Sequence, residues 1–255
     1  MLPALSERLL AVASLVPEQS VLADVGTDHG YVPVWLCKTG KIQSAIATDI
    51  NRGPLRRAEE HIRQYGMETR IQTRLSDGLK AVNPGEADAV VIAGMGGGLI
   101  LHILKEGEAV CRQAAAIVLQ PQSEIVRVRE YLMSQGYVTD AEEMVWEDGK
   151  YYPMMRVHSA QKNGASSGHI PDAAIRRIPE ENQAETERLM LRYGRLLPER
   201  RDPVLFRYLE NERDTYQNIL AQLNAQRESG EIRRRMEEID EVLRLNGAAR
   251  ALYGE

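Results

Sequence analysis

The pattern of apolar and polar positions divides the chain in two. From residue 1 to about 158, short β-rich runs alternate with helical stretches. The runs are Val21–Val25, Ser44–Asp49, 70–75, 87–93 and 115–119, and stretches with helical spacing, such as 32–37, 54–65 and 99–104, lie between them. Such alternation predicts βαβ units on a parallel sheet. Val90, Val91, Ile92 and Ala93 are apolar without a break, as a strand covered on both faces requires. The rhythm then changes. Residues 136–146 and 150–157 are two strand-like runs around Glu147-Asp148-Gly149, and Asp-Gly at that place signals a hairpin. The expected fold class is α/β, a Rossmann-like parallel sheet with an antiparallel hairpin at its end.

Residues 159–180 are polar and rich in glycine and serine around 163–168, the composition of a linker or loop. Beyond them, over 181–255, the spacing is purely helical. Leu205, Leu209, Tyr216, Ile219 and Leu223 fall on steps of four and three, with Glu212 breaking the stripe, and Ile232, Met236, Ile239 and Leu243 repeat the steps. Ser229-Gly230 separates the two stripes. The pattern predicts two helices folded back as an antiparallel, coiled-coil-like hairpin, with one helix running through Gly230 as the alternative.

Composition agrees with this division. A chain of 255 residues, 43% hydrophobic and 27% charged, suits one medium domain with an appendage or two small domains. Cys37 and Cys111 alone make neither a disulfide scaffold nor a zinc knuckle, and point to a reducing cytoplasm. No apolar run reaches the roughly 18 residues of a membrane span. Residues 1–16, with Glu7 and Arg8 mid-segment, do not read as a secretory signal. The net charge of −5 is unlike that of a strongly basic nucleic-acid protein, yet six arginines lie between Arg52 and Arg74. They read either as a local basic patch or as a solvated helix face.

Candidate chemistry sits at the strand ends. Asp24, Gly26 and Gly30 stand where the first strand meets the first helix, the place where a nucleotide-like ligand crosses a doubly wound sheet. Asp28 occupies the position of the middle glycine of a dinucleotide fingerprint, where it would repel a pyrophosphate. NAD is therefore disfavoured, and a ligand with a cationic part such as S-adenosyl-L-methionine is favoured. Asp49 ends the second strand, followed by Ile50, and is placed either to accept both ribose hydroxyls of an adenosine or to cap the next helix. Asp77-Gly78 after the third strand offers an acceptor for the adenine amino group, or a plain turn. Ala93-Gly94-Met95-Gly96-Gly97-Gly98 after the fourth replaces the Asn/Asp-Pro-Pro-aromatic motif of many amino-group methylases, and can admit a flat ring or form a tight turn. Gln120-Pro121-Gln122 after the fifth supplies two amides able to read a base edge. His61, His102, His158 and His169 read as scattered imidazoles, whereas His29 shares a loop with Asp28 and Tyr31. No metal-ligand spacing is visible.

The segments Leu5-Ser6-x-Arg8-Leu9, Asp24-Val-Gly-Thr-Asp-His-Gly-Tyr31, Ile92-Ala-Gly-Met-Gly-Gly97, Leu119-Gln-Pro121 and Glu147-Asp-Gly-Lys-Tyr-Tyr152 resemble the bacterial tRNA (adenine 22, N1)-methyltransferases, the TrmK family. The resemblance spans essentially the whole chain. It implies a class I methyltransferase sheet with a C-terminal coiled-coil domain, S-adenosyl-L-methionine as cofactor, tRNA as substrate and transfer to N1 of adenine. Gln122 departs from the family's Asn after Gln-Pro. Under this reading Asp24, Gly26, Asp28, His29, Gly30, Asp49, Ile50, Asp77, Gly78, Ala93, Gly94, Met95 and Gly96 bind cofactor. Asp28 has an electrostatic role toward the product cation, and Tyr31 stacks on or bonds the target base. Arg52, Arg56 and Arg57 hold phosphates; Gln120, Pro121 and Gln122 contact the base. Arg192, Arg195, Arg207 and Arg213 on the tail are further candidates for phosphate binding. A monomer without membrane association is expected. The competing readings are a small-molecule methyltransferase and a catalytically silent RNA-binding module.

Overall fold

The computed structural model describes residues 2–160, 183–226 and 229–254. The chain forms two compact units, Met1–Asp172 and Ala173–Glu255. Each is described by itself.

In the first unit, α1 (Glu7–Leu15) precedes β1 (Val21–Val25), α2 (Tyr31–Lys38), β2 (Ser44–Asp49), α3 (Arg52–Gln64), β3 (Ile71–Leu75) and β4 (Ala89–Met95). Then come α4 (Gly97–Glu106), α5 (Glu108–Gln113), β5 (Ala116–Pro121), α6 (Ile125–Ser134), β6 (Tyr137–Glu147) and β7 (Lys150–Ser159). The strands make one sheet in the order β3-β2-β1-β4-β5-β7-β6. β1 to β5 run parallel, and β7 enters antiparallel beside β5 with Leu119 opposite Met155. The Asp148-Gly149 expectation holds in detail. Both residues have positive φ, +49° and +77°, as a two-residue turn matching the strand twist requires.

Two apolar clusters explain the unbroken run in β4. Val90 and Ile92 pack with Ile100, Leu104, Val128 and Leu132 of α4 and α6. Ala89 and Val91, on the other face, pack with Val12, Val34, Leu36 and Ile62 of α1, α2 and α3. Helices thus cover both faces of the parallel strands, and the carboxyl ends of β1, β2 and β4 are left to form a crevice.

The second unit contains α7 (Gln183–Tyr193), α8 (Leu196–Glu199), α9 (Pro203–Asn224) and α10 (Gly230–Ala251). The continuous-helix alternative is excluded. α9 ends at Asn224, and the Ser229 side chain caps α10 by accepting from the Ile232 N–H at 3.2 Å. Asn246 donates to the Leu209 carbonyl (2.9 Å) and to Glu212 (3.0 Å), pairing positions equidistant from the turn, as an antiparallel pair requires. Glu212 breaks the apolar stripe because it is the buried acceptor for its neighbours. Tyr193 Oη (2.6 Å), Tyr208 Oη (2.9 Å) and Arg192 (2.7 Å) all donate to it. A buried carboxylate with this many donors is satisfied, and removing it would orphan them.

Of the linker expectation, Ser159 belongs to β7 and the Ala160 N–H bonds the Gly136 carbonyl at 3.0 Å. The rest, 161–180, lies outside the described residues. No helix among the described residues is long and apolar enough to cross a membrane.

Candidate cofactor cleft

At the carboxyl edge of β1 and β4 lies a cleft of about 420 Å³ lined by Arg8, Asp24, Gly26, Thr27, Asp28, His29, Tyr31, Ala93, Gly94 and Gln122, among others. β1 delivers Asp24 to its floor. The chain then turns at Gly26 (φ +74°), where the Gly26 and Thr27 N–H groups bond the Thr48 carbonyl at 2.8 and 2.9 Å. A Cβ on Gly26 would stand 2.2 Å from Met95 Cε, so this glycine lets the β1 and β4 loops close on each other. Gly30 (φ +69°) starts α2, and a Cβ there would meet Ala58 Cβ of α3 at 3.2 Å.

Asp24 is 6% exposed, and Thr27 Oγ1 donates to it at 2.6 Å. Burial pushes its carboxyl up to about 6, the Thr27 bond opposes this, and the neighbouring Asp49 charge adds to it. A folded-state value above the ordinary one means that stability falls as pH rises from about 4 to about 6, and stays reduced above. Asp24→Asn keeps an acceptor for Thr27 and removes the buried charge. It is expected to stabilise the ligand-free protein by about 1–3 kcal/mol at pH 7.5, a gain that shrinks toward pH 4 in thermal melts. Cofactor binding should weaken in the same variant, because a carboxylate that costs stability is retained for a ligand.

Asp49 is 9% exposed at the tip of β2, and its Oδ1 accepts from the Asn51 N–H at 2.8 Å. Asn51, not Asp49, occupies the cap position of α3, so the helix-capping alternative does not hold. Ile50 beside it is 62% exposed, a large apolar side chain at the ligand edge. Asp77 pairs with Lys80 at 2.6 Å, and the ammonium holds its carboxyl below the usual range. Gly78 takes the positive φ (+59°) of a turn.

Three expectations change. Gln120 is fully buried. Its Oε1 accepts from Arg8 Nη1 (3.0 Å) and from the Gly94 N–H (3.1 Å), and its Nε2 donates to the Pro121 carbonyl (3.3 Å). Both amide ends are occupied, so Gln120 organises the β4 loop and does not face a base; Pro121 is buried as well, leaving Gln122 exposed on the cleft. Arg57 donates to Asp28 at 2.6 Å. Asp28 is therefore half of an exposed ion pair, and Arg57 is not available to phosphate in that conformation. Arg52 and Arg56 are exposed on α3. His61 is not a solitary imidazole. Its ring stacks on Tyr31 (4.7 Å between centroids) and its Nδ1 bonds the His29 carbonyl at 2.9 Å. His29 stacks on Tyr31 at 5.4 Å, so three rings fix one another at the rim.

Sequence reasoning left Arg8, Thr27 and His61 out of the candidate site. The hydroxyl three residues after Asp24 was the available signal for Thr27. Arg8 lies on the first helix, away from every strand end, where no spacing marks it.

A sheet of this order with an acidic, glycine-turned crevice at β1 and β4 defines a methyltransferase domain, and residues 5–155 match the family model of that description. The chain is 38% identical over 164 residues, 64% of its length and 69% of the relative's, to the tRNA (adenine(22)-N(1))-methyltransferase of Bacillus subtilis (strain 168). Among solved structures it is similar to the B. subtilis m1A22 tRNA methyltransferase TrmK, with TM-score 0.79, 30% identity and coverage of 96% of this chain and 98% of that one. It is also similar to M. capricolum TrmK in complex with S-adenosyl-homocysteine, with TM-score 0.72, 28% identity and coverage of 94% and 98%. The chain belongs to the tRNA (adenine(22)-N(1))-methyltransferase family.

Proposed function

We propose that the chain transfers a methyl group from S-adenosyl-L-methionine to N1 of adenine 22 in tRNA, in the cytoplasm, with the first unit holding the cofactor. The observation that carries this reading is that two buried carboxylates, Asp24 and Asp49, stand at the adjacent ends of β1 and β2, beside a β1 turn that carries Asp28 where a pyrophosphate would need open backbone. The cleft suits S-adenosyl-L-methionine. Asp24 and Asp28 face a zwitterion with a sulfonium, and Asp49 at the β2 tip offers acceptors for ribose hydroxyls.

Bound there, the cofactor supplies an electrophilic methyl on a sulfonium. Adenine N1 keeps a free lone pair at neutral pH, so no proton has to be removed first and no general base is assigned. The chain's task is positioning. The Tyr31 ring, in mutual contact with His29 and His61, offers an aromatic surface at the rim for an exposed adenine. Asp28, paired with Arg57, is the carboxylate set to balance charge that develops on the base. Arg52 and Arg56 lie on the same edge and suit phosphate.

Labelled-methyl transfer, run with unmodified tRNA and with a tRNA-free small-molecule extract, tests the reading. Label should enter tRNA and require it. Transfer that proceeds without tRNA would replace the proposal with a small-molecule enzyme.

A further inference from the structure

The loop from β1 into α2 carries Asp28, His29 and Tyr31, and it does not hold its own shape. Asp28 (φ +45°) and Gly30 (φ +69°) both sit in the left-handed region. For Asp28 that is a strained conformation, which persists only where the surroundings fix it. Gly30 starts α2 without a side-chain cap. The support comes from α3. Arg57 pairs with Asp28 at 2.6 Å, Ala58 Cβ lies 3.2 Å from where a Cβ on Gly30 would stand, and His61 Nδ1 meets the His29 carbonyl at 2.9 Å. Arg57, Ala58 and His61 share one face of α3, since residues three and four apart are neighbours on a helix surface. Each loop residue from 28 to 30 thus has an α3 residue against it.

His61 makes a further contact that the other two do not. A carbonyl only accepts, so Nδ1 is the protonated nitrogen, and its hydrogen bond fixes how the ring is turned. Turned that way, the imidazole lies 4.7 Å from the Tyr31 ring, at 21° to it, and 5.6 Å from the His29 ring. His61 is not among the residues that line the cleft, whereas His29 and Tyr31 are. It stands behind the two rings that face the ligand.

We propose that His61 is a positioning residue for methyl transfer: its Nδ1–H bond holds the β1–α2 loop, and its ring sets the Tyr31 ring at the rim where the target base is received. The proposal rests on the tRNA methyltransferase reading above. It divides the work of one side chain between a hydrogen bond, which serves the loop lining the cofactor cleft, and a ring contact, which serves the base.

The test uses the full chain and separates the two contacts. His61→Asn offers an amide N–H near the place of Nδ1 and removes the ring. His61→Phe keeps a ring beside Tyr31 and removes the hydrogen bond, and His61→Ala removes both. kcat and KM are measured with unmodified tRNA, and affinity for S-adenosylhomocysteine by calorimetry. His61→Asn should bind S-adenosylhomocysteine within about twofold of wild type and lose about tenfold in kcat, because a loosened ring misplaces the base and not the cofactor. His61→Phe should weaken S-adenosylhomocysteine about threefold to tenfold, the effect of one neutral hydrogen bond. His61→Ala should show both losses. A double-mutant cycle with Tyr31→Ala distinguishes positioning from general stability: once Tyr31 is gone, adding His61→Asn should change kcat by less than about twofold. An equal loss of kcat with and without Tyr31 would overturn the proposal. So would wild-type kcat in His61→Asn, or rate losses in all the variants that follow their melting temperatures and vanish on cooling. A wild-type chain that binds S-adenosylhomocysteine and leaves tRNA unmethylated would overturn the tRNA reading, and this inference with it.

Discussion

Asp49→Ala is expected to lower affinity for S-adenosyl-L-methionine by roughly tenfold to a hundredfold. Hydrogen bonds to a charged acceptor contribute about 1.5–3 kcal/mol each, and the carboxylate at the β2 tip is placed to accept from the ribose. Its position does not depend on the ligand: Oδ1 is already held by the Asn51 N–H at 2.8 Å. Alanine loses that local bond as well, so Asp49→Asn is the companion variant. It keeps an acceptor for Asn51 and removes the charge. Both variants should fold, by circular dichroism, and both should bind more weakly in calorimetry. Full affinity in either would remove Asp49 from the site.

A chain ending after Ala160 should fold, bind S-adenosyl-L-methionine much as the full chain does, and lose tRNA methylation by on the order of a hundredfold. The seventh strand ends at Ser159, and Ala160 still bonds Gly136, so a cut at His158 would damage the sheet edge and a cut after Ala160 spares it. The cofactor cleft is lined entirely by residues up to Gln122. The described residues of the helical unit form helices, with no strand end of the kind that carries the glycine turns of the cleft. Losing even two charge-assisted phosphate contacts, at about 1.5 kcal/mol each, gives a loss of that order in kcat/KM. Which groups make those contacts is narrower than the sequence suggests. Arg192 is held by Glu212 inside the unit, Arg195 faces Glu199 at 3.2 Å and Arg213 faces Asp214 at 2.7 Å. Full-rate methylation by the shortened, folded chain would show that the helical unit is not a tRNA-binding element.

Strands β1, β2, β4 and β5 were legible because each is a short apolar run that ends where polar chemistry begins. The Asp148-Gly149 turn was legible because two adjacent positive φ angles leave few residue choices. What the sequence concealed was pairing across distance. Arg8 meets Gln120 across 112 positions and Glu147 across 139, separations that no local spacing encodes. Gln120 looked like a base reader because it stands at a strand end. Its burial follows from β5 lying inside the sheet between β4 and β7, which only the strand order reveals. His61 read as an isolated surface imidazole on α3, since nothing in the sequence brings it under Tyr31 of α2. Glu212 read as an interruption of a stripe, and it is one: the interruption is where Tyr193, Tyr208, Arg192 and Asn246 converge.

The central claim concerns one atom of one nucleotide, and the direct measurement is made there. Unmodified tRNA carrying adenine 22 is incubated with the full chain and S-adenosyl-L-methionine, digested, and analysed by mass spectrometry, with a parallel primer extension to locate the modification. The account predicts 1-methyladenine, with extension stopping beside position 22 because a methyl on N1 blocks pairing. A methyl on the exocyclic amine with extension reading through, or a stop at a different adenine, would contradict it.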